Sequence, residues 1–456
     1  MNWTVELTRF AMHAAVAAAV LALAVFPARR LVGRFVARVE AMRHGPFLAA
    51  AVALTLVTRL ALMPVVYPAY ETDIREYCEK AAAIARDGHP RAQETRSDGT
   101  HFYRTLGYSL PLAGWYRVTG MPDTPEGRVR SAQAFNLAAA CGVAALLVAL
   151  GRATRRETAG RVAALVYATF LPALMFSLLP YAETWTTLLV AASALVFERL
   201  RSAQAGAAIA FGAAFGLLQG LLLITRIEFA LVTLLAAAWL VRERGRGSLA
   251  PLAVSVLIAL VPFAVNHEMR TCYTGHLRTI VQGGLILYFG NNPIEVNGHG
   301  NATPKVAAHV AKLYATDPTG GLARDEALAW MKAHPFEAVA NAPKKLYQLW
   351  LAEPQGFTWH IAAGRPNGTN RTFADVLRHC AWIQALLLLA LGVAGLVRRA
   401  GGFGFWIWVL AVHAATWCLL AASTRNRYPL EPLLMIAAAA WIESRERSPS
   451  RARARP

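Results

Sequence analysis

Charge is scarce in this chain. Asp, Glu, Lys and Arg make up 16% of its 456 residues, against 56% apolar residues. Soluble domains carry about 25% charged residues, so an ordinary water-soluble fold is excluded. Cysteine is scarce too: Cys78, Cys141, Cys272, Cys380 and Cys418 lie far apart, without metal-ligand spacing. That excludes a disulfide scaffold and a cysteine-rich zinc module. There is no Walker loop, no GxGxxG after a strand and no HExxH, and the histidines are scattered. Chemistry driven by a bound nucleotide or a clustered metal centre therefore has no signature here.

What the chain has is long apolar runs joined by short basic linkers. Its mean hydropathy is +0.37 and its net charge +19. Such a charge could suggest nucleic acid, but much of the arginine sits between apolar runs. It reads as orientation in a membrane, with no nucleic-acid partner. The runs are 10–26, 46–66, 132–150, 162–179, 184–197, 207–224, 229–241, 249–265, 376–397, 403–420 and 430–442. They predict an all-α polytopic membrane protein with about eleven transmembrane helices. The linkers 28–45, 151–161, 242–247 and 398–399 and the tail 443–456 are arginine-rich and therefore cytoplasmic. Residues 1–442 then form a single membrane domain with two outer segments, 67–130 and 266–375. The first run, 10–26, lacks the basic start and cleavage site of a signal peptide.

The first outer segment opens on YPAYETDIREYCEK. Ile74, Tyr77, Ala81 and Ile84 recur at helical spacing, and Asp73 with Glu76 fits a capping box. The same spacing would hold Asp73 at the membrane surface, facing a reaction chamber. Stretch 108–118 is too short to span and carries Tyr108, Trp115 and Tyr116, so it predicts an interfacial helix. In the second outer segment, 306–315, 323–333 and 336–350 show helical patterns. Phe336, Val339, Leu346 and Trp350, beside Lys344 and Lys345, suit either a helix on the membrane surface or one packed on the loop.

Polar side chains at the outer ends of apolar runs are costly and often mark a reaction site or pathway. The candidates are Asp73, Arg104, Glu183, Arg226, Glu228, Arg270, Lys344, Lys345, Arg425 and Arg427. Each has a plainer reading. Glu183 follows a proline turn, Arg226 and Glu228 can neutralise each other, and Arg425 and Arg427 can meet lipid headgroups. Asn291 and Asn292 beside Gly290 suit a tight turn.

In order and membrane side, these residues resemble the motifs of polytopic GT-C glycosyltransferases that use polyprenyl-phosphate sugars. Protein mannosyltransferases and lipid A aminoarabinose transferases belong to that group. The resemblance covers 52–441. ETDIREY supplies an acidic residue, Asp73, and a following tyrosine, Tyr77. YRTLGYS supplies Arg104, Gly107 and Tyr108, with Leu106 and Ser109 where the group has prolines. PYAETW supplies Glu183, and LLITRIE supplies Arg226. Gly290, Asn291 and Pro293 fit G-N-x-P, and Arg427, Tyr428 and Pro432 fit part of R-Y-x-x-P-x-x-P. The extra first run departs from the group's usual start.

The resemblance implies a GT-C-like fold and a membrane enzyme that moves a sugar from a polyprenyl-phosphate donor to an acceptor hydroxyl, with inversion. It implies catalysis by Asp73 and Glu183. It implies phosphate binding by Arg104, Tyr77, Lys344, Lys345, Arg425 and Arg427, supported by Tyr108, Arg226, Glu228 and Asn291. The site would face the outer, periplasmic side of a bacterial cytoplasmic membrane, among membrane lipids. The acceptor could be a glycan, a lipid or a protein. No residue set identifies a metal, and a divalent cation near the outer carboxylates is left open. The alternative is a transporter or flippase of a lipid-linked glycan, for which no internal repeat speaks.

Overall fold

Alanine- and leucine-rich stretches, broken by Gly, Pro and short polar linkers, become helices throughout. The computed structural model describes residues 3–25, 29–66, 68, 72–90, 106–274, 282–294, 303–317, 320–354, 371–398 and 404–453, and their regular elements are all helical. They are α1 (Trp3–Val25), α2 (Arg29–Ala41), α3 (His44–Leu62), α4 (Thr72–Asp87), α5 (Ser109–Thr119), α6 (Pro125–Ala153), α7 (Glu157–Thr169), α8 (Leu171–Leu178), α9 (Ala182–Ser202) and α10 (Ala205–Thr225). Then come α11 (Ala230–Arg244), α12 (Leu249–Thr274), α13 (Gln282–Gly290), α14 (Pro304–Thr316), α15 (Gly321–Ala333), α16 (Pro335–Ala340) and α17 (Ala342–Leu346). The last are α18 (Arg371–Val397), α19 (Gly404–Leu419) and α20 (Glu431–Arg453).

Among the described residues, five helical stretches are long and apolar enough to cross a membrane, or six if α7 and α8 make one span. The chain is a multi-pass helical membrane protein. The expected count of about eleven is not reproduced by length and hydropathy. α19 is apolar but short, and α9 carries Glu183, Glu198, Arg199 and Arg201 along its length.

The run 162–179, expected as one straight span, bends by 61° between α7 and α8. Pro172 enters at the first turn of α8, where it cannot donate to the preceding turn. The carbonyls at the break are taken up by α3. Thr58 Oγ1 donates to Ala168 O at 2.7 Å, and the buried Arg59 donates to Ala168 O at 3.3 Å and Tyr167 O at 3.5 Å. Arg59 also lies over the Tyr167 ring at 5.0 Å.

α10 and α12 pack through a stripe of small residues. A Cβ on Gly212, Gly216 or Gly220 would come within 2.5, 2.2 or 2.6 Å of the Pro251, Ser255 or Ala259 carbonyl oxygen. Small residues every fourth position let membrane helices approach this closely, and Ser255 Oγ donates to Gly212 O at 2.7 Å across the seam.

The basic linkers meet one another. Arg161 donates to Val39 O at 2.9 Å and Met42 O at 2.6 Å, joining linkers 151–161 and 28–45. Arg201 pairs with Glu243 at 2.6 Å, and Arg244 donates to Ala203 O at 2.8 Å, joining the α9–α10 and α11–α12 turns. α9 runs from that end to Glu183, so roughly 30 Å separates the basic end of the bundle from the acidic one.

In the second outer segment, α16 leaves Phe336 88% and Val339 72% exposed. Further along the same stretch Leu349 is fully buried and Trp350 packs against the core, so its two halves differ.

Candidate functional site

Five charged side chains from four parts of the chain join in one alternating row. Arg425 bridges Asp73 and Glu183, with Nη1 to Asp73 Oδ2 at 3.4 Å and Nε to Glu183 Oε1 at 2.8 Å. Arg226 also donates to Glu183 Oε1, and its Nη1 reaches Glu228 Oε1 at 3.2 Å and Asn426 Oδ1 at 3.3 Å. The row reads Asp73, Arg425, Glu183, Arg226, Glu228. It holds three carboxylates and two guanidiniums.

Local structure explains why these groups can be held there. Asp73 and Glu183 lie in the first turns of α4 and α9, where the helix dipole and free N–H groups favour negative charge. Arg226 follows the last residue of α10 and Glu228 the next turn. Arg425 sits in the turn Thr424–Asn426, ahead of α20, with its guanidinium 5.5 Å from the Tyr181 ring. Glu183 is fully buried. A buried carboxylate is tolerated only when well paired, and both arginines converge on its Oε1. Its Oε2 is buried with no hydrogen-bond partner among the described residues.

Asp73 lies inside the helix rather than at its cap, because α4 starts at Thr72. Glu76, the other half of the expected capping box, accepts from Lys80 at 2.6 Å in a buried pair. Both carboxylates engage basic side chains.

The remaining sequence candidates stand elsewhere. Tyr77 meets Tyr108 edge-on, with centroids 5.0 Å apart, and Tyr108 donates to Asn136 Oδ1 at 3.1 Å. Burial pushes the Tyr108 phenol well above its usual range. Arg427 pairs with Glu431 at 3.0 Å and donates to Trp350 O. Lys345 donates to Asn291 Oδ1 and Cys418 O, both at 2.9 Å. Lys344 is half-buried on the same short helix. Arg104 and the side chain of Arg270 lie outside the described residues. Among the described residues no three His, Cys, Asp or Glu side chains could together hold a metal ion. The Asp73 and Glu183 carboxylates both contact Arg425.

Sequence reasoning missed Asn426, Tyr181 and Arg59. Asn426 and Tyr181 flank residues that were singled out, so proximity in the chain was the available signal. Arg59, an arginine inside an apolar run, was itself the signal.

An apolar slot lies in the bundle below this row. Val190, Phe197, Phe215, Leu222, Phe405 and Trp406 are among its walls, and its cavity volume is about 40 Å³. Phe229 and Leu430 also line it, and Phe229 directly follows Glu228 in the chain.

No family model and no curated protein matches the chain. Solved structures do. The Archaeoglobus fulgidus oligosaccharyltransferase in its apo form is similar over 91% of this chain and 52% of its own, at 12% identity and TM-score 0.48. The same enzyme with an inhibitory peptide and a dolichol-phosphate matches over 89% and 51%, at 13% identity and TM-score 0.46. ArnT from Cupriavidus metallidurans, bound to undecaprenyl phosphate, matches over 90% and 80%, at 14% identity and TM-score 0.39. The chain spans about half the length of the archaeal oligosaccharyltransferase. The likeness is one of fold.

Proposed function

We propose that the protein transfers a sugar from a polyprenyl-phosphate donor to an acceptor hydroxyl, by single displacement with inversion. The observation that carries this reading is the buried row of three carboxylates and two arginines at one end of a helical membrane bundle, with an apolar slot whose wall includes Phe229, next in the chain to Glu228. Such a site offers hydrogen-bond donors to a phosphate, a base to an acceptor and a dry path to a hydrocarbon chain.

In this mechanism the acceptor oxygen bonds to the anomeric carbon and its proton passes to the Asp73 carboxylate. The bond from that carbon to the phosphate oxygen breaks, and the lipid phosphate leaves with the electron pair. Arg425 stabilises the charge developing on that phosphate. Drawing Arg425 onto the phosphate loosens its 3.4 Å contact with Asp73 and readies that carboxylate to accept a proton. Glu183 keeps both guanidiniums in register from behind.

The site faces the outer side, the periplasm of a bacterial cytoplasmic membrane. The row lies at the opposite end of α9 from the joined arginine linkers, which favour the cytoplasm. The acceptor is a glycan, a lipid or a protein bearing a hydroxyl on that side.

The test incubates purified protein with a panel of polyprenyl-phosphate sugars and candidate acceptors, and identifies products by mass spectrometry. A glycosylated acceptor with matching release of polyprenyl phosphate is expected. Movement of intact lipid-linked glycan across a vesicle membrane, without glycosidic bond exchange, would instead establish a flippase.

A further inference from the structure

Lys345 is buried on α17 at a distance from the charged row, and its position is costly. Its ammonium meets two neutral oxygens, and among the described residues no carboxylate pairs with it. Burying an unpaired charge is strongly unfavourable, and here burial pushes the amine down to about 8. An apolar side chain would fill the place at less cost, so the two hydrogen bonds must serve something else.

We propose that Lys345 and Asn291 are positioning residues that fix where Arg425 stands relative to Asp73 and Glu183. They clasp the end of α19, from which the Arg425-bearing turn departs. The final carbonyls of a helix have no partner within it. Here Lys345 Nζ takes Cys418 O at 2.9 Å and Asn291 Nδ2 takes Leu419 O at 2.7 Å. Asn291 Oδ1 accepts from Lys345 at 2.9 Å and closes the clasp.

The backbone beyond is held by contact. A Cβ on Gly290 would lie 2.7 Å from the Leu420 carbonyl carbon, so only glycine lets α13 come this close. Ala421 N–H donates to Ile286 O at 3.2 Å.

The far side of the turn is gripped by the stretch that continues from α17. Thr424 Oγ1 donates to Glu353 O at 3.1 Å, and Arg427 donates to Trp350 O. Residues 345–353 thus hold the chain on both sides of Arg425. The guanidinium is aimed by a clasp that never touches it.

This inference rests on the reading of Arg425 as the phosphate-binding group, and its test separates the two. Lys345→Met and Asn291→Ala, each alone and combined with Arg425→Ala, are compared in detergent. The readouts are binding of undecaprenyl phosphate and backbone hydrogen exchange. Each clasp variant should exchange faster across 419–427 and elsewhere as in the parent protein. Each should bind the lipid phosphate about tenfold more weakly, the loss of one well-placed hydrogen bond. Combined with Arg425→Ala, neither should weaken binding further, because both act through the same side chain. Losses that add in full, or parent-like exchange and affinity in both clasp variants, would overturn the inference. Should Lys345→Met not fold, Asn291→Ala decides the matter alone. Parent-like binding in Arg425→Ala would defeat the phosphate role of Arg425, while exchange across 419–427 would still report on the clasp.

Discussion

The two ends of α9 carry two kinds of ion-pair network. At the basic end, arginines fasten main chain: Arg161 holds the Val39 and Met42 carbonyls, and Arg244 holds that of Ala203. The carboxylate partner of Arg161, Glu157, is 42% exposed and so partly in water. At the acidic end, Arg425 and Arg226 bond to carboxylate side chains, the central carboxylate is fully buried, and one of its oxygens lacks a partner among the described residues. A guanidinium tied to main-chain carbonyls is a fastener with no reason to let go. One shared between two carboxylates can exchange one of them for a phosphate. The difference in partner type, more than the number of charges, separates the fastened end from the proposed site.

That contrast can be broken in graded steps. The largest loss is expected from Glu183→Ala, which leaves two arginines facing a cavity. Removing one member of a buried network costs about 3–5 kcal/mol, and monodispersity together with thermal unfolding in detergent should reveal it. Normal stability in that variant would mean that Arg425 and Arg226 do not depend on Glu183.

Arg425→Ala should be milder for folding and severe for donor use. Truncating one partner of a desolvated charged contact costs about 2–5 kcal/mol, so affinity for a polyprenyl phosphate should fall roughly 30-fold or more. Arg425→Lys should not restore it, because an ammonium cannot reproduce a planar fork shared between two acceptors. Full binding by the lysine variant would reduce Arg425 to a simple point charge.

Arg161→Ala tests the fastener end. Loss of its charge-assisted bonds should lower stability by about 2 kcal/mol and leave donor binding in the folded fraction unchanged. A change in affinity there would show that the two ends are coupled.

A smaller, pH-dependent effect should come from Lys345. Burial pushes its amine down to about 8 in the folded protein, from an ordinary value of 10.5. Between those values the unfolded chain binds more protons than the folded one, so stability should rise with pH across that window, by at most about 1.4 kcal/mol per pH unit. Lys345→Met should flatten that rise relative to the parent protein in unfolding midpoints taken from pH 7.5 to 9.5. An unchanged slope would place the amine's titration elsewhere.

The sequence made the site more legible than the scaffold. Asp73, Glu183, Arg226, Glu228 and Arg425 stood out because charge at the end of an apolar run is conspicuous, and the structure gathers all five. Arg427 and Lys345 were conspicuous for the same reason but face away from the row. Charge at a helix end does not say which way it points. The bend at Pro172 was hidden because the run around it is uniformly apolar, and hydropathy carries no information about direction. The spacing of Gly212, Gly216 and Gly220 was present in the chain, but its partner face on α12 emerges only from packing. Short or charged helices such as α19 and α9 blur the span count for a related reason: in a bundle, neighbours satisfy what lipid cannot.

The most direct test of the central claim is the transfer rate of Asp73→Asn, with Glu79→Gln on the same helix as control. Glu76 would be a poor control, since its loss strands the buried Lys80. Asparagine keeps the shape of the side chain and can still accept from Arg425, but it cannot take up the acceptor proton. The account expects a folded, monodisperse protein that binds donor and transfers about 10²–10⁴-fold more slowly, with Glu79→Gln near the parent rate. A folded Asp73→Asn protein that transfers sugar at the parent rate would contradict it.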